Sequence, residues 1–293
     1  MKPTAIKPTH QEVTEANVAV HSTAAATYDL DEPHFRPESR LRVRQNLERM
    51  FPAGGGRMLD VGCGTGFLSF VADGLFDTIY GIDATPAMVQ VARARPMKSK
   101  ATFLITDVLE FVPDGAPFDL VAGYAFLHHL VDPMPVLRRA WDWLAPGGQM
   151  YFDLEPNLRF WSALESVSLS DRENSSAALR RELASNRGDA EAERYGIDEG
   201  VFALAEYGKK VAGGFDLDAA RDVLIGLGAV EFQPLFHWFV GEAFLIGRMA
   251  TIEGSESELR SSIDAVLQDA LPLSSAMFKY VGFTCRKPGG AQG

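Results

Sequence analysis

The chain has 293 residues, 46% of them apolar and 23% charged, the balance of an ordinary globular protein long enough to bury a large core. Its 39 acidic residues outnumber 28 basic ones, and a net charge of −11 argues against a nucleic-acid partner gripped through its phosphates. Two cysteines, Cys63 and Cys285, are expected to be reduced; with no signal-peptide pattern and no span-length apolar stretch, a cytoplasmic location and no membrane partner are expected.

Residues 1 to 20 mix Pro, Thr, Lys, Glu and Ala without a clear period and are expected to be a flexible N-terminal arm. An Ala-rich turn then ends in Tyr28-Asp29. Arg36, Arg40 and Arg44 are spaced by four, with Pro37 suited to a first helical turn. The helix this predicts runs to about residue 50, with Leu41, Leu47 and Met50 inward. Its basic stripe makes Arg36 a candidate contact for an anionic group, with a plain solvated face as the simpler alternative.

Met58 to Val61 is a short apolar run that ends in Gly62, Gly64 and Gly66, and Phe67 to Ala72 resumes at helical spacing. This is strand, glycine turn, helix, an arrangement that brings main-chain N–H groups up to a ligand. The dinucleotide fingerprint G-x-G-x-x-G/A needs a small residue at position 67, where this chain has Phe67. The pattern is G-x-G-x-G with Asp60 two residues ahead. A second strand, Thr78 to Ile82, ends at Asp83, placed to accept from ribose hydroxyls. Thr85 and Pro86 then open a helix to about Arg95. A third strand, Ala101 to Thr106, ends at Asp107, and a fourth, Phe118 to Gly123, leads into Tyr124, Ala125 and the tandem His128-His129.

After a helix from Asp132 to about Leu144, Gly147-Gly148 turns the chain into a fifth strand, Gln149 to Leu154, with Glu155 and Asn157 at its carboxyl edge. Open α/β sheets bind ligands beyond that edge. Residues 158–214 hold Phe160, Trp161, Phe202 and Tyr207 among charged runs, with helices expected at 175–186 and 198–212. Asp216 caps a helix ending near Gly228, and Val230 to Phe239 is a sixth strand. An insertion at about 240–275 carries an amphipathic helix with Leu259, Ile263, Val266 and Leu267 inward, and Met277 to Arg286 is a seventh strand.

Asp60 to Gly66, Gly81-Ile82-Asp83, Thr106-Asp107-Val108, Phe118 to Val121 and Leu144 to Gly148 together resemble the ordered motifs of class I S-adenosylmethionine-dependent methyltransferases of small-molecule type, over about residues 25 to 155. The resemblance implies an α/β, Rossmann-like, doubly wound seven-stranded sheet, mostly parallel with an antiparallel last strand. It divides the chain into the arm at 1–20, an N-terminal helical lid at 21–56, and a cofactor domain at 57–287 with insertions at about 158–214 and 240–275. A disordered tail at 288–293 completes it. It implies S-adenosylmethionine as cofactor and S-adenosylhomocysteine as product, held by Tyr28, Asp60, Gly62, Gly64, Gly66, Asp83, Ala84, Met88, Asp107, Val108 and Tyr124. His128, His129 and Tyr124 become the candidates for catalysis, and Arg36, Glu155, Asn157 and Trp161 those for acceptor contacts. No metal-ligand spacing is evident, and the expected partner is a small-molecule acceptor, with a homodimer possible. The alternatives are a non-catalytic cofactor-binding partner subunit, a cofactor-dependent reaction other than methyl transfer, and an NAD-dependent oxidoreductase.

Overall fold

A computed structural model describes residues 7–32, 35–169, 189–242 and 256–290. In chain order the helices are α1 His10–Ala24, α2 Tyr28–Asp31, α3 Pro37–Met50, α4 Phe67–Val71, α5 Pro86–Arg93, α6 Met134–Trp143, α7 Leu158–Leu169, α8 Asp189–Tyr195, α9 Glu199–Ala205, α10 Tyr207–Lys210, α11 Leu217–Gly226 and α12 Glu256–Asp269. The strands are β1 Arg57–Val61, β2 Thr78–Asp83, β3 Lys100–Ile105, β4 Phe118–Tyr124, β5 Leu144–Pro156, β6 Val230–Phe239 and β7 Phe278–Arg286. They form one seven-stranded sheet in the order β3-β2-β1-β4-β5-β7-β6. Strands β1 to β5 pair in parallel, and β7 runs antiparallel to both β5 and β6. This is the doubly wound sheet the motifs imply, antiparallel last strand included.

The central strands are buried on both faces, as parallel strands covered by helices must be. In β1 the side chains alternate. Leu59 and Val61 enter the core that contains Leu137, Ala140 and Trp141 of α6, and Met58 enters the opposite core with Val43 and Leu47 of α3 and Leu68 of α4. Asp60 shares the Met58 face. The strand order reverses between β1 and β4, so their carboxyl ends open a crevice where loops from both halves meet.

Several expectations are corrected. The arm is a helix from His10: Thr9 and Glu12 close a capping box, and Val13, Ala16, Val20 and Ala24 are buried. That apolar spacing was readable, but the Pro and Thr residues around it obscured it. Residues 198–212 form two short helices broken at Glu206, whose backbone (φ −94°, ψ 35°) leaves the helical region. Leu47 is buried and Met50 packs on the core as expected, but Leu41 is 59% exposed and Val43 takes its place on the buried side of α3. In α12, Ile263 and Leu267 pack on the core whereas Leu259 and Val266 face out. The helix expected at 175–186 lies outside the described residues, as do parts of both insertions and the last three residues of the tail. Among the described residues no helix is long and apolar enough to cross a membrane.

Candidate active site

The crevice at the β1–β4 reversal holds a cleft of about 100 Å³. Gly62, Cys63, Gly64 and Thr65 form one wall, Asp83, Ala84 and Met88 the next, and Thr106, Asp107 and Val108 a third, with Tyr28, Tyr124 and Phe126 opposite. The glycines serve different ends. Gly62 has φ +66°, and a Cβ there would meet the Phe126 ring at 2.0 Å, so the turn and the following loop touch directly. Gly64 has φ +51° with nothing near its missing Cβ, which leaves its backbone open to a ligand.

Asp83 braces that turn. One of its oxygens accepts from Gly64 N at 2.9 Å and the other from Thr85 N at 2.7 Å. A carboxylate has about four acceptor positions, so two remain for hydroxyl groups in the cleft. Asp107 accepts from Leu109 N at 2.7 Å through one oxygen. Its other oxygen meets His10 Nε2 at 2.8 Å and accepts from the Thr14 hydroxyl at 3.1 Å. The first helix therefore roofs the cleft, where His10, Thr14, Asn17 and His21 complete its lining.

Asp60 and Gly66 do not line the cleft. Asp60 is 1% exposed, and one oxygen accepts from both Ser69 N and Ser69 Oγ, at 3.0 and 2.6 Å. Burial pushes its carboxyl up to about 7 against the lowering pull of those bonds. Its role is to fix β1 to α4. Gly66, at φ +92°, is the N-cap residue of α4. Tyr124 lines the cleft, but its hydroxyl accepts from the Arg42 guanidinium at 2.9 Å, and burial raises its pKa far above neutrality.

A second cavity of about 310 Å³ adjoins the first and shares His21, Tyr28, Ala125 and His129 with it. Phe202, Glu206, Trp238 and Tyr280 line its far side. Four non-glycine residues among those described have positive φ, and three of them, Ala125 (52°), Leu154 (62°) and Trp238 (55°), line this cavity. Such backbone costs on the order of 1–3 kcal/mol per residue and clusters at functional sites. Leu154 falls where the β5–β7 register shifts between Phe152 and Glu155.

Of the tandem histidines, His129 lines both spaces and His128 the second alone. Glu155, fully buried, accepts from Phe126 N, Leu127 N and His128 N at 2.9 to 3.0 Å, and one of its oxygens is 2.7 Å from His128 Nδ1. It is consumed in holding this loop, so it is not the acceptor contact expected of it. Burial depresses the pKa of His128, but the Glu155 carboxylate outweighs that and raises it. His129 sits 2.7 Å from the Ala205 carbonyl through Nδ1; burial, with His128 beside it, drives its pKa down to about 3. Glu206 faces both rings, with 3.8 Å between Oε2 and His128 Nε2 and 3.8 Å between Oε1 and His129 Nδ1. Burial raises its carboxyl, but His129, His128 and Lys209 together bring it down to about 2.

The remaining acceptor candidates are corrected likewise. Asn157 is buried; its amide donates to the Ser275 and Phe278 carbonyls at 2.8 and 2.7 Å and its oxygen accepts from Arg159 N. It clamps β5 to the segment before β7. Arg36 is an exposed residue at the start of α3, outside both cavities. Trp161 lies on α7, packed edge-on against Phe160 and under the Lys209 ammonium, and lines neither space. Sequence reasoning missed Glu206, His21, Trp238 and Tyr280, which have no shared spacing because they come from four separate elements.

The fold and the glycine-turn cleft define an α/β protein built to hold a nucleotide-like cofactor at the carboxyl edge of its sheet. Residues 59–152 match the model of the methyltransferase domain family. The chain is 35% identical over 114 residues to a ubiquinone biosynthesis O-methyltransferase of Xanthomonas axonopodis pv. citri (strain 306), covering 38% of this chain and 47% of that one. It is 32% identical over 130 residues to a trans-aconitate 2-methyltransferase of Methylobacterium radiotolerans, covering 44% and 47%. The chain thus spans about half the length of these curated relatives. Among solved structures, the plantazolicin methyltransferase BpumL, in complex with a triazolic desmethylPZN analog and S-adenosylhomocysteine, shares the fold over 97% of this chain and all of its own, with TM-score 0.51 and 17% identity. A Haemonchus contortus phosphoethanolamine N-methyltransferase 2 does so over 96% and 60%, with TM-score 0.54 and 14% identity. Residues 59–152 thus carry a domain similar to those of the class I S-adenosylmethionine-dependent methyltransferases.

Proposed function

We propose that the protein transfers the methyl group of S-adenosylmethionine to a small-molecule acceptor seated in the 310 Å³ cavity. The observation that carries this reading is the shared wall: His21, Tyr28, Ala125 and His129 line both spaces, so a sulfonium in the first cleft and a nucleophile in the second would meet there. The acceptor's lone pair attacks the methyl carbon, the carbon–sulfur bond breaks, and S-adenosylhomocysteine leaves with the electron pair on sulfur. Positioning alone supplies on the order of 7–11 kcal/mol to such a step when the reactants are held in line.

In this reading Asp83 takes the ribose hydroxyls and the Gly64 and Thr65 region of the turn takes the charged end of the cofactor. Asp107 and Val108 take the adenine edge, beside Ala84 and Met88. Adenine would replace the His10 and Thr14 contacts on Asp107, so α1 shifts as the cofactor enters. His128 and His129 activate the acceptor nucleophile, with Glu155 orienting His128. Tyr124 shapes the cleft and does not transfer protons, because its hydroxyl is held by Arg42 and stays protonated.

The test has two arms. Calorimetry with S-adenosylhomocysteine should give one site per chain. Incubation with methyl-labelled cofactor and a panel of hydroxylated and amino metabolites should yield a labelled product by mass spectrometry. A tight cofactor site with no product from any acceptor would move the reading to the non-catalytic partner subunit.

A further inference from the structure

We propose that His128, His129 and Glu206 form a binding site for one divalent first-row transition-metal ion, open toward the acceptor cavity. One donor atom from each of these three residues lies within 4.8 Å of the other two, and all three side chains are buried or nearly so. No hydrogen bond to the Glu206 carboxylate is found among the described residues; its Oε2 stands 3.8 Å from His128 Nε2, and its Oε1 the same distance from His129 Nδ1, the nitrogen held by the Ala205 carbonyl. That spacing is too long for a hydrogen bond. It is close to the separation of two ligands that share an ion: bond lengths of about 2.0–2.2 Å put neighbouring donors roughly 3.3 Å apart in a tetrahedral site. A modest inward movement of Glu206 closes the difference to His128 Nε2, and a further adjustment of the Glu206 turn brings it to the Nε2 side of His129.

The surroundings of the rings point the same way. Glu155 and the Ala205 carbonyl can only accept, so the nitrogens beside them, His128 Nδ1 and His129 Nδ1, each carry a proton. Both rings therefore keep Nε2 for another partner. A ligating histidine almost always gives its other N–H to a carboxylate or a backbone carbonyl, and here one of each is present. Gly208 fixes the third ligand, because its Cα packs so tightly on His128 that an added Cβ would meet the His128 backbone at 2.7 Å. The turn carrying Glu206 is thus pinned to the turn carrying the histidines.

Two imidazoles and a carboxylate favour zinc, iron, cobalt or manganese over calcium or magnesium, which prefer all-oxygen sites. Three protein ligands leave at least one position free. That position faces the cavity in which the acceptor is placed, so an oxygen or nitrogen of the acceptor would bind there and become more acidic. The proposal rests on the methyl-transfer reading only for this last step.

The test uses the full chain and Co²⁺ alone, without cofactor or acceptor. One equivalent of Co²⁺ should remain after desalting and produce visible d–d absorption. Its proton spectrum in H₂O should show two paramagnetically shifted exchangeable signals, the Nδ1 protons of the two rings, which vanish in D₂O. Glu206→Gln should weaken Co²⁺ binding at least 10–100-fold while S-adenosylhomocysteine affinity changes little. His10→Asn, a histidine change in the cofactor cleft and outside the cluster, should retain the ion. Failure of the wild-type chain to retain Co²⁺, absence of the two shifted signals, or equal binding by Glu206→Gln would each overturn the site and leave His128 acting as a free base. If Co²⁺ binds as described and no acceptor is ever methylated, it is the functional reading that fails and not the metal site.

Discussion

The cofactor cleft and the acceptor cavity share a wall but are built in opposite ways. The sheet side of the cleft follows directly on the strands of successive β-α repeats: Gly62 to Thr65 after β1, Asp83 and Ala84 at the end of β2, Thr106 to Val108 after β3, with α1 as its roof. The sheet places them, and short-range main-chain bonds such as Asp83 to Gly64 finish the job. The cavity instead gathers side chains from α1, α2, α8, α9, β6, β7 and the turn at Glu206, far apart in the chain and brought together by packing. A cleft floor written in contiguous residues is set with the sheet itself; a cavity walled in part by the 158–214 insertion can change that wall without disturbing the sheet.

The sharpest way to break this contrast is at the glycine turn. Gly62→Ala would need a Cβ 2.0 Å from Phe126 at φ +66°, so either the loop after β4 moves or the turn opens. The expected outcome is a loss of at least 100-fold in S-adenosylhomocysteine affinity by calorimetry. Gly64→Ala, at φ +51° with open space, should cost only about 1 kcal/mol of stability, the price of the strained φ. Equal affinity for Gly62→Ala and wild type would show that the close approach does not matter.

Glu155 joins the two regions and should give the next largest effect. Its four contacts include three main-chain N–H donors, and Gln offers a single acceptor oxygen in their place. Glu155→Gln should lose about 2–4 kcal/mol in thermal unfolding. It should also lower kcat/KM by about 10–100-fold, with a smaller change in cofactor affinity. Asp83→Asn should then weaken S-adenosylhomocysteine about tenfold. The amide keeps one acceptor oxygen for a brace that now uses two, so part of the loss is a looser glycine turn.

Those orders of effect also explain what the sequence made legible. The strand order, the glycine turn and the two acids at Asp83 and Asp107 are readable because each depends on a local pattern: an apolar run, a turn residue, a polar side chain at the strand end. Asp60 and Glu155 carry the same kind of signal, an acid at a strand, and yet both point inward, to Ser69 and to the histidine loop. Nothing in a linear pattern tells an inward carboxylate from an outward one when both lie on the same strand edge. Glu206 was hidden for a different reason. The apolar spacing of 198–212 reads as one helix, and the break that aims the carboxylate at the histidines comes from Gly208 packing against His128.

Asp60 gives a pH signature of its own, away from the cavity. Its folded pKa, raised by burial to about 7, lies above the ordinary aspartate value of about 3.9. Between those values the folded chain binds the extra proton, so stability falls as pH rises through this window. Relative to Asp60→Asn, which keeps an acceptor for Ser69 but does not titrate, the wild type should lose on the order of 1–3 kcal/mol between pH 4 and pH 7.5. Parallel stability curves for the two proteins would mean that Asp60 stays ionised throughout.

The smallest expected effect is at Trp238, and it tests whether the cavity stores backbone strain. Trp238 holds φ +55° at the cavity wall, with its ring edge-on to Tyr280 at 5.1 Å between centroids. Removing the ring should raise the acceptor KM several-fold and leave S-adenosylhomocysteine binding unchanged, since Trp238 lines only the second space. The comparison of interest is between two truncations. In an ordinary extended strand, Ala is more stable than Gly by about 0.5–1 kcal/mol, because Gly has more chain entropy to lose. At a left-handed backbone the sign reverses, because only the residue with a Cβ is strained, by about 1–2 kcal/mol. Trp238→Gly should therefore unfold at a higher temperature than Trp238→Ala. If Ala is the more stable of the two, β6 relaxes once the ring is gone, and the positive φ is imposed by the tryptophan's packing against Tyr280 and not by the strand.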